Sequence, residues 1–170
     1  NDSFTSAGTT TFDSDTDNDG SGTFTLASAL SAGNNAISLT AGGLALNSTL
    51  SSGTASTTIL ASLSGATIGL GASSCGGTCG VSLTSTELGN ITAGSLTIGN
   101  TSNGAITVEG VSSTDSDQFG SLTLNATASG SSVTFENSDS TFQGLTVNAE
   151  NGITLSSNLT TNGTTSFDSD

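Results

Sequence analysis

The chain has 170 residues and a formal charge of −14, with no Lys, Arg or His. Salt bridges within the chain are therefore excluded, as is a nucleic-acid partner, because nothing neutralises phosphate. Acid–base catalysis is left with carboxylates alone, and no apolar run approaches the roughly 20 residues of a membrane helix, so no membrane insertion is expected.

Ser and Thr account for 63 residues, and only 32 % of the chain is hydrophobic. That composition lies near the border of disorder. The patterning argues for order. Apolar–polar–apolar triplets with the two-residue period of a strand recur along the chain, with Gly or Asn at the joints. They begin at Phe24–Leu26, which continues to Leu30. Ile37–Leu39 and Leu44–Leu46 follow, with Leu50 on a third face. Then come Ile59–Leu63, Ile68–Leu70 and Val81–Leu83, with Leu88 and Ile91 behind. Leu96–Ile98, Ile106–Val108 and Val111 make the most regular group. After it stand Leu122–Leu124, Val133–Phe135 and Phe142, then Leu145–Val147, Ile153–Leu155 and Leu159, and last Thr165–Phe167.

The starts at Leu96, Leu122 and Leu145 are 26 and 23 residues apart. This spacing suits a coil with three faces better than a hexapeptide rhythm. The expected fold is all-β: one single-chain parallel β-helix, or β-solenoid, of about six to seven coils, continuous over residues 1–170. Apolar residues point inward, and the central Thr or Ser of each triplet points outward. Helices are not expected, because no 3.6-residue period is sustained and Gly, Ser, Thr and Asn form helices poorly.

The two ends of the chain echo each other. Residues 3–15, SFTSAGTTTFDSD, match residues 158–170, NLTTNGTTSFDSD, at eight of thirteen positions, an offset of 155 residues. The match predicts a long repeat of about 155 residues, of which the chain holds slightly more than one copy. The uncapped ends, with Phe4 and Phe12 at one and Leu159 and Phe167 at the other, are expected to continue head to tail. The main partner is then another copy of the chain.

The strings LTAGGLALNSTLSSG (39–53) and ITAGSLTIGNTSNGAITVEGV (91–111) resemble the repeat regions of filamentous-haemagglutinin-type adhesins, which Gram-negative bacteria secrete by two-partner or autotransporter routes. The resemblance spans nearly the whole chain as a style of repeat. It implies a right-handed parallel β-helix and a bacterial protein with an extracellular or cell-surface role. The expected function is a structural repeat unit of an extracellular filament or giant surface protein. The alternative is an adhesin stalk that binds host or matrix glycans.

Two loops carry the remaining chemistry. Asp13, Asp15, Asp17 and Asp19 alternate ahead of Gly20, and the last three with Gly20 fit the D-x-D-x-D-G start of a calcium loop. The acid at position twelve is missing, since Leu26 stands there, so calcium is a candidate and not a required cofactor. Cys75 and Cys79, four apart in a Gly-rich loop of a chain that looks exported, are expected to form a local disulfide. Asp115 and Asp117 are a weaker acidic pair, for calcium or glycoside hydrolysis. Without basic residues, and without Trp or Tyr to seat a sugar, no enzyme is expected. Outward Thr ladders raise ice binding, but the neighbours of Thr97, Thr107 and Thr146 vary too much for a regular two-column face.

Overall fold

The computed structural model describes residues 4, 6–72, 75 and 77–170. Its strands are taken here by successive passes of the chain. The first pass carries β1 (Thr10–Asp13), β2 (Thr23–Leu26) and β3 (Leu30–Ser31). The second carries β4 (Ile37–Ala41), β5 (Gly43–Leu46) and β6 (Leu50–Ser51). The third is longer, with β7 (Ser56–Ala61), β8 (Ile68–Gly71), β9 (Val81–Leu83), helix α1 (Ser85–Gly89) and β10 (Ile91–Thr92). The fourth has β11 (Ser95–Ile98), β12 (Ile106–Glu109) and helix α2 (Ser113–Ser116). The fifth has β13 (Leu122–Ala126), β14 (Val133–Phe135) and β15 (Ser140–Phe142). The sixth has β16 (Leu145–Ala149), β17 (Ile153–Leu155) and β18 (Leu159–Thr161), and β19 (Thr165–Ser169) follows.

Every strand pair is parallel. The strands fall into five separate sheets. The largest has seven strands in the order β1-β4-β7-β11-β13-β16-β19, so each pass contributes its first strand. A five-stranded sheet runs β17-β14-β12-β8-β9, and a three-stranded one runs β10-β6-β3. The pairs β2-β5 and β15-β18 make two smaller sheets. The fold is therefore mostly β and built of parallel sheets, as expected.

Register follows the triplets. Leu96 sits beside Leu122, and Leu122 beside Leu145, as the 26- and 23-residue spacing requires. A one-residue slip would turn the apolar set outward, so the pattern pins the pairing. In the large sheet one inward column reads Phe12, Leu39, Ile59, Ile98, Leu124, Val147 and Phe167. Its middle members are buried, whereas Phe167 at the edge is 45 % exposed. In the five-stranded sheet Leu155, Phe135, Val108, Leu70 and Leu83 line up the same way. The core is thus a set of columns, each filled one side chain per strand. Thr57 is a polar member of the neighbouring inward column, between Ile37 and Leu96: it is buried, and its hydroxyl shares a 2.9 Å hydrogen bond with Ser52.

Three features depart from the sequence expectation. First, two short helices exist. Each starts on a capping box, in which the first residue and one three positions later satisfy each other's backbone groups. In α1 the Thr84 hydroxyl accepts from the Glu87 amide, and Glu87 accepts from the Thr84 amide at 2.9 Å. In α2 both the amide and the hydroxyl of Ser112 donate to Asp115. Secondly, β8 and β9 lie side by side in one sheet, with Ile68 beside Val81, so the third pass lays down two strands where the others lay one. Thirdly, where other passes carry strand β6 or β15, the fourth has α2 and a single bridge between Ala93 and Phe119.

Candidate functional site

The acidic loop leaves β1 and returns at β2. Its tight path is set by Asn18 and Gly20, both with positive φ (55° and 85°). The Asn18 amide donates to the Asp15 carbonyl at 3.0 Å, closing a turn. Gly22 is required by close approach: a Cβ there would fall 1.8 Å from the Ser14 carbonyl oxygen. The loop is thereby folded flat, and alternate side chains are brought to one place.

Carboxylate oxygens of Asp15, Asp17 and Asp19 lie within 4.8 Å of one another. Asp15 is buried, at 5 % exposure, and Asp17 and Asp19 are exposed. Asp15 accepts from the Gly20 amide at 2.8 Å and from the Ser62 hydroxyl of the third pass. The Ser62 bond, with help from the Gly20 amide, holds the Asp15 carboxyl below its ordinary range. Asp17 is pushed the other way, by its hydrogen bond with Asp15 and by the charge of Asp19. Like charges crowd here with no cationic side chain to offset them. The donors are all hard oxygen, the set that suits calcium.

Asp13 does not join the three. It accepts the Asp15 amide at 3.1 Å and so serves the turn. Leu26, at the twelfth position of the calcium pattern, points into the core. Any remaining ligands would have to be backbone carbonyls or water.

The sulfurs of Cys75 and Cys79 lie 2.15 Å apart, at disulfide distance, with Cα atoms 5.3 Å apart. The loop joins the end of β8 to the start of β9 and closes the detour that sets these strands side by side. Ser73, Ser74 and Gly76 of this loop fall outside the described residues. Asp115 is spent on the α2 cap, and Asp117 accepts from Gln118 at 2.8 Å.

The outward face of the large sheet carries a hydroxyl at every strand: Thr11, Ser38, Thr58, Thr97, Thr123, Thr146 and Ser166. The residues just ahead of these triplets are Thr9, Ala36, Ser56, Ser95, Ser121, Gly144 and Thr164, so the neighbouring column is broken.

The sheet edges are the other candidate. The strands β1 and β19 each have one partner, β4 and β16, and lie at opposite edges of the same sheet. Phe12 and Phe167, the echo positions, share one column. At the β19 side Leu155 is 52 % exposed and Leu159 is half-buried. Phe4 is 45 % exposed at the other side. A shallow recess lined by Thr127, Asn148, Ala149, Glu150, Asp168 and Asp170 opens beside β19.

Among the described residues no helix is long and apolar enough to cross a membrane. No family model, no curated protein and no solved structure matches the chain.

Proposed function

We propose that the chain is a structural repeat unit of an extracellular filament or giant cell-surface protein, built as a right-handed three-faced β-solenoid of about six to seven coils. In this reading the five sheets are segments of three faces, and each pass is one coil. Right-handed crossovers are the rule between parallel strands of one sheet. The observation that carries the reading is the form of the large sheet. β1 and β19 are the outermost strands of a seven-stranded parallel sheet, and the column from Phe12 to Phe167 runs through all seven, a form that further parallel strands extend. With no Lys, Arg or His to act as acid, base or electrophile, the reading assigns no enzymatic role.

The test is the hydrodynamic and electron-microscopic behaviour of the purified chain. It should lengthen with concentration into rods one molecule wide. A monodisperse monomer at high micromolar concentration would overturn the proposal.

We also propose that Asp15, Asp17 and Asp19 bind calcium, an ion abundant outside cells. A cation would replace the Asp15 hydrogen bond and offset the Asp19 charge that now raise the Asp17 carboxyl, and Ser62 would tie the bound loop to the third pass. Calcium at one hundred times its dissociation constant would stabilise the chain by about 2.7 kcal/mol. The expected result is a calcium-dependent rise in melting temperature that chelator reverses and Asp17→Asn diminishes. A melting temperature indifferent to millimolar calcium sinks this assignment.

A further inference from the structure

We propose that Asn151, at the corner between β16 and β17, is a site of spontaneous covalent modification. Its side-chain amide is lost, its bond to Gly152 becomes an isoaspartyl linkage, and the sixth pass is loosened from the fifth. The co-reactant is water.

The reaction needs an Asn or Asp whose side-chain carbonyl carbon can be reached by the amide nitrogen of the next residue. Glycine obstructs that approach least, because it has no side chain. The glycine nitrogen, having given its proton to solvent base, attacks Cγ and forms a new C–N bond. The Cγ–Nδ2 bond breaks, and ammonia leaves with a proton from water. Water then opens the five-membered imide at either carbonyl. Opening at one restores an ordinary backbone with Asp in place of Asn. Opening at the other leaves the backbone running through the former side chain, one methylene longer. Both products carry a new carboxylate, and nothing is oxidised or reduced.

Four pairs in the chain have the required sequence: Asp19-Gly20, Asn103-Gly104, Asn151-Gly152 and Asn162-Gly163. The fold treats them differently. Asn103 is fully buried, and its Nδ2 donates to the Ala61 carbonyl at 2.9 Å. The Gly104 amide donates to the Ala66 carbonyl at 2.8 Å, so both reacting groups are held apart. In the acidic loop the Gly20 amide donates to Asp15, and Asp19 accepts from the Ser21 amide, each at 2.8 Å. Asn151 is exposed. Among the described residues neither its side chain nor the Gly152 amide has a hydrogen-bond partner. Gly152 stands clear at a φ of 97°, with nothing within 4 Å of where a Cβ would be. Asn162 is exposed too, but Gly163 is packed on the Gln143 carbonyl, 2.7 Å from its Cβ direction. Asn151 alone of the four combines exposure, a free attacking amide and room to close the ring.

The corner is also a clamp. The Asn151 amide donates to the Ser131 carbonyl at 2.8 Å, and the Gly152 carbonyl accepts from the Val133 amide at 3.1 Å. The two residues on either side of the reacting bond thus both grip the fifth pass, and a methylene inserted between them breaks their spacing. Glu150, next in line, accepts from the Gly130 amide at 2.6 Å. A new carboxylate beside it has no Lys, Arg or His in the chain to offset it.

Peptide mapping of the aged native chain tests the site. The chain is held in mildly alkaline buffer, then cut by a glutamate-specific protease at mildly acid pH, where ring closure is slow. Cleavage after Glu87, Glu109 and Glu150 isolates residues 88–109 and 151–170, and tandem mass spectrometry locates the change within each. Asn151 should convert ahead of Asn162 and more than about tenfold faster than Asn103, which reacts only from an opened state. In denaturant Asn103 should catch up with Asn151. The aged chain should melt at a lower temperature than the fresh one. Asn151→Gln, whose longer side chain closes the ring poorly, should keep its melting temperature on ageing. An intact Asn151, a native Asn103 that converts as fast, or Asn162 in the lead overturns the site. An equal fall in the melting temperature of aged Asn151→Gln overturns the loosening.

Discussion

Phe135→Ala is expected to lower unfolding stability by about 3–5 kcal/mol, the range for removing a fully buried aromatic ring. Phe135 is fully buried on β14, between Val108 of β12 and Leu155 of β17. Each level of this core is filled by the side chains of one pass. The backbone of neighbouring passes is held at ladder spacing by parallel hydrogen bonds, so the walls cannot collapse into the hole. Most of the cavity should therefore persist. The measurement is urea denaturation followed by far-ultraviolet circular dichroism. A loss below about 1 kcal/mol would show that the column is looser than its burial implies. Phe167→Ala, in the same experiment on the unassembled chain, should stay within about 0.5 kcal/mol, because that ring is still 45 % exposed. The contrast separates interior levels from the edge level, which the head-to-tail reading expects to be buried only in the filament.

What could be read from residues was whatever each pass states locally. Leu96-Thr97-Ile98 and its successors give strand period, inward face and register at once, and the sheet pairs them as the spacing requires. The cysteine pair was legible for the same reason, since four residues in a Gly-rich loop permit few other geometries. The helices were not. A helix of four or five residues has no period to detect, and α1 buries Leu88 alone. The signal that existed was the spacing Thr84-x-x-Glu87 and Ser112-x-x-Asp115, hidden among many similar Ser and Thr residues. The β8–β9 pairing had no local mark either. Ile68-Gly69-Leu70 and Val81-Ser82-Leu83 read as strands on successive faces, and only the whole stack shows that they share one. In the acidic loop alternation named four carboxylates, but it could not show which three converge. That depends on the turns at Asn18 and Gly20, which leave Asp13 facing the backbone.

Gly94→Ala is expected to destabilise the chain by about 3 kcal/mol or more, at the upper end of what overpacking costs. Gly94 lies at the corner between β10 and β11. Its amide donates to the Ala55 carbonyl of the preceding pass at 2.8 Å. A Cβ on Gly94 would fall 2.1 Å from the Thr54 carbonyl oxygen and 2.7 Å from its carbon. Both are backbone atoms, so no side chain can swing aside. The methyl group can be admitted only by parting the third and fourth passes at that corner. The loss would spread, because the following corners stand on this one: Gly120 lies with its Cβ direction 2.8 Å from the Gly94 carbonyl oxygen. Gly163 repeats the approach against the Gln143 carbonyl at 2.7 Å. The comparison is Gly77→Ala in the cysteine loop, where a Cβ would meet nothing within 4 Å and the change should stay within about 0.5 kcal/mol. Thermal melts of the two variants side by side decide it. Equal melting temperatures would mean that the corner yields, and that close packing of successive passes does not set their stacking.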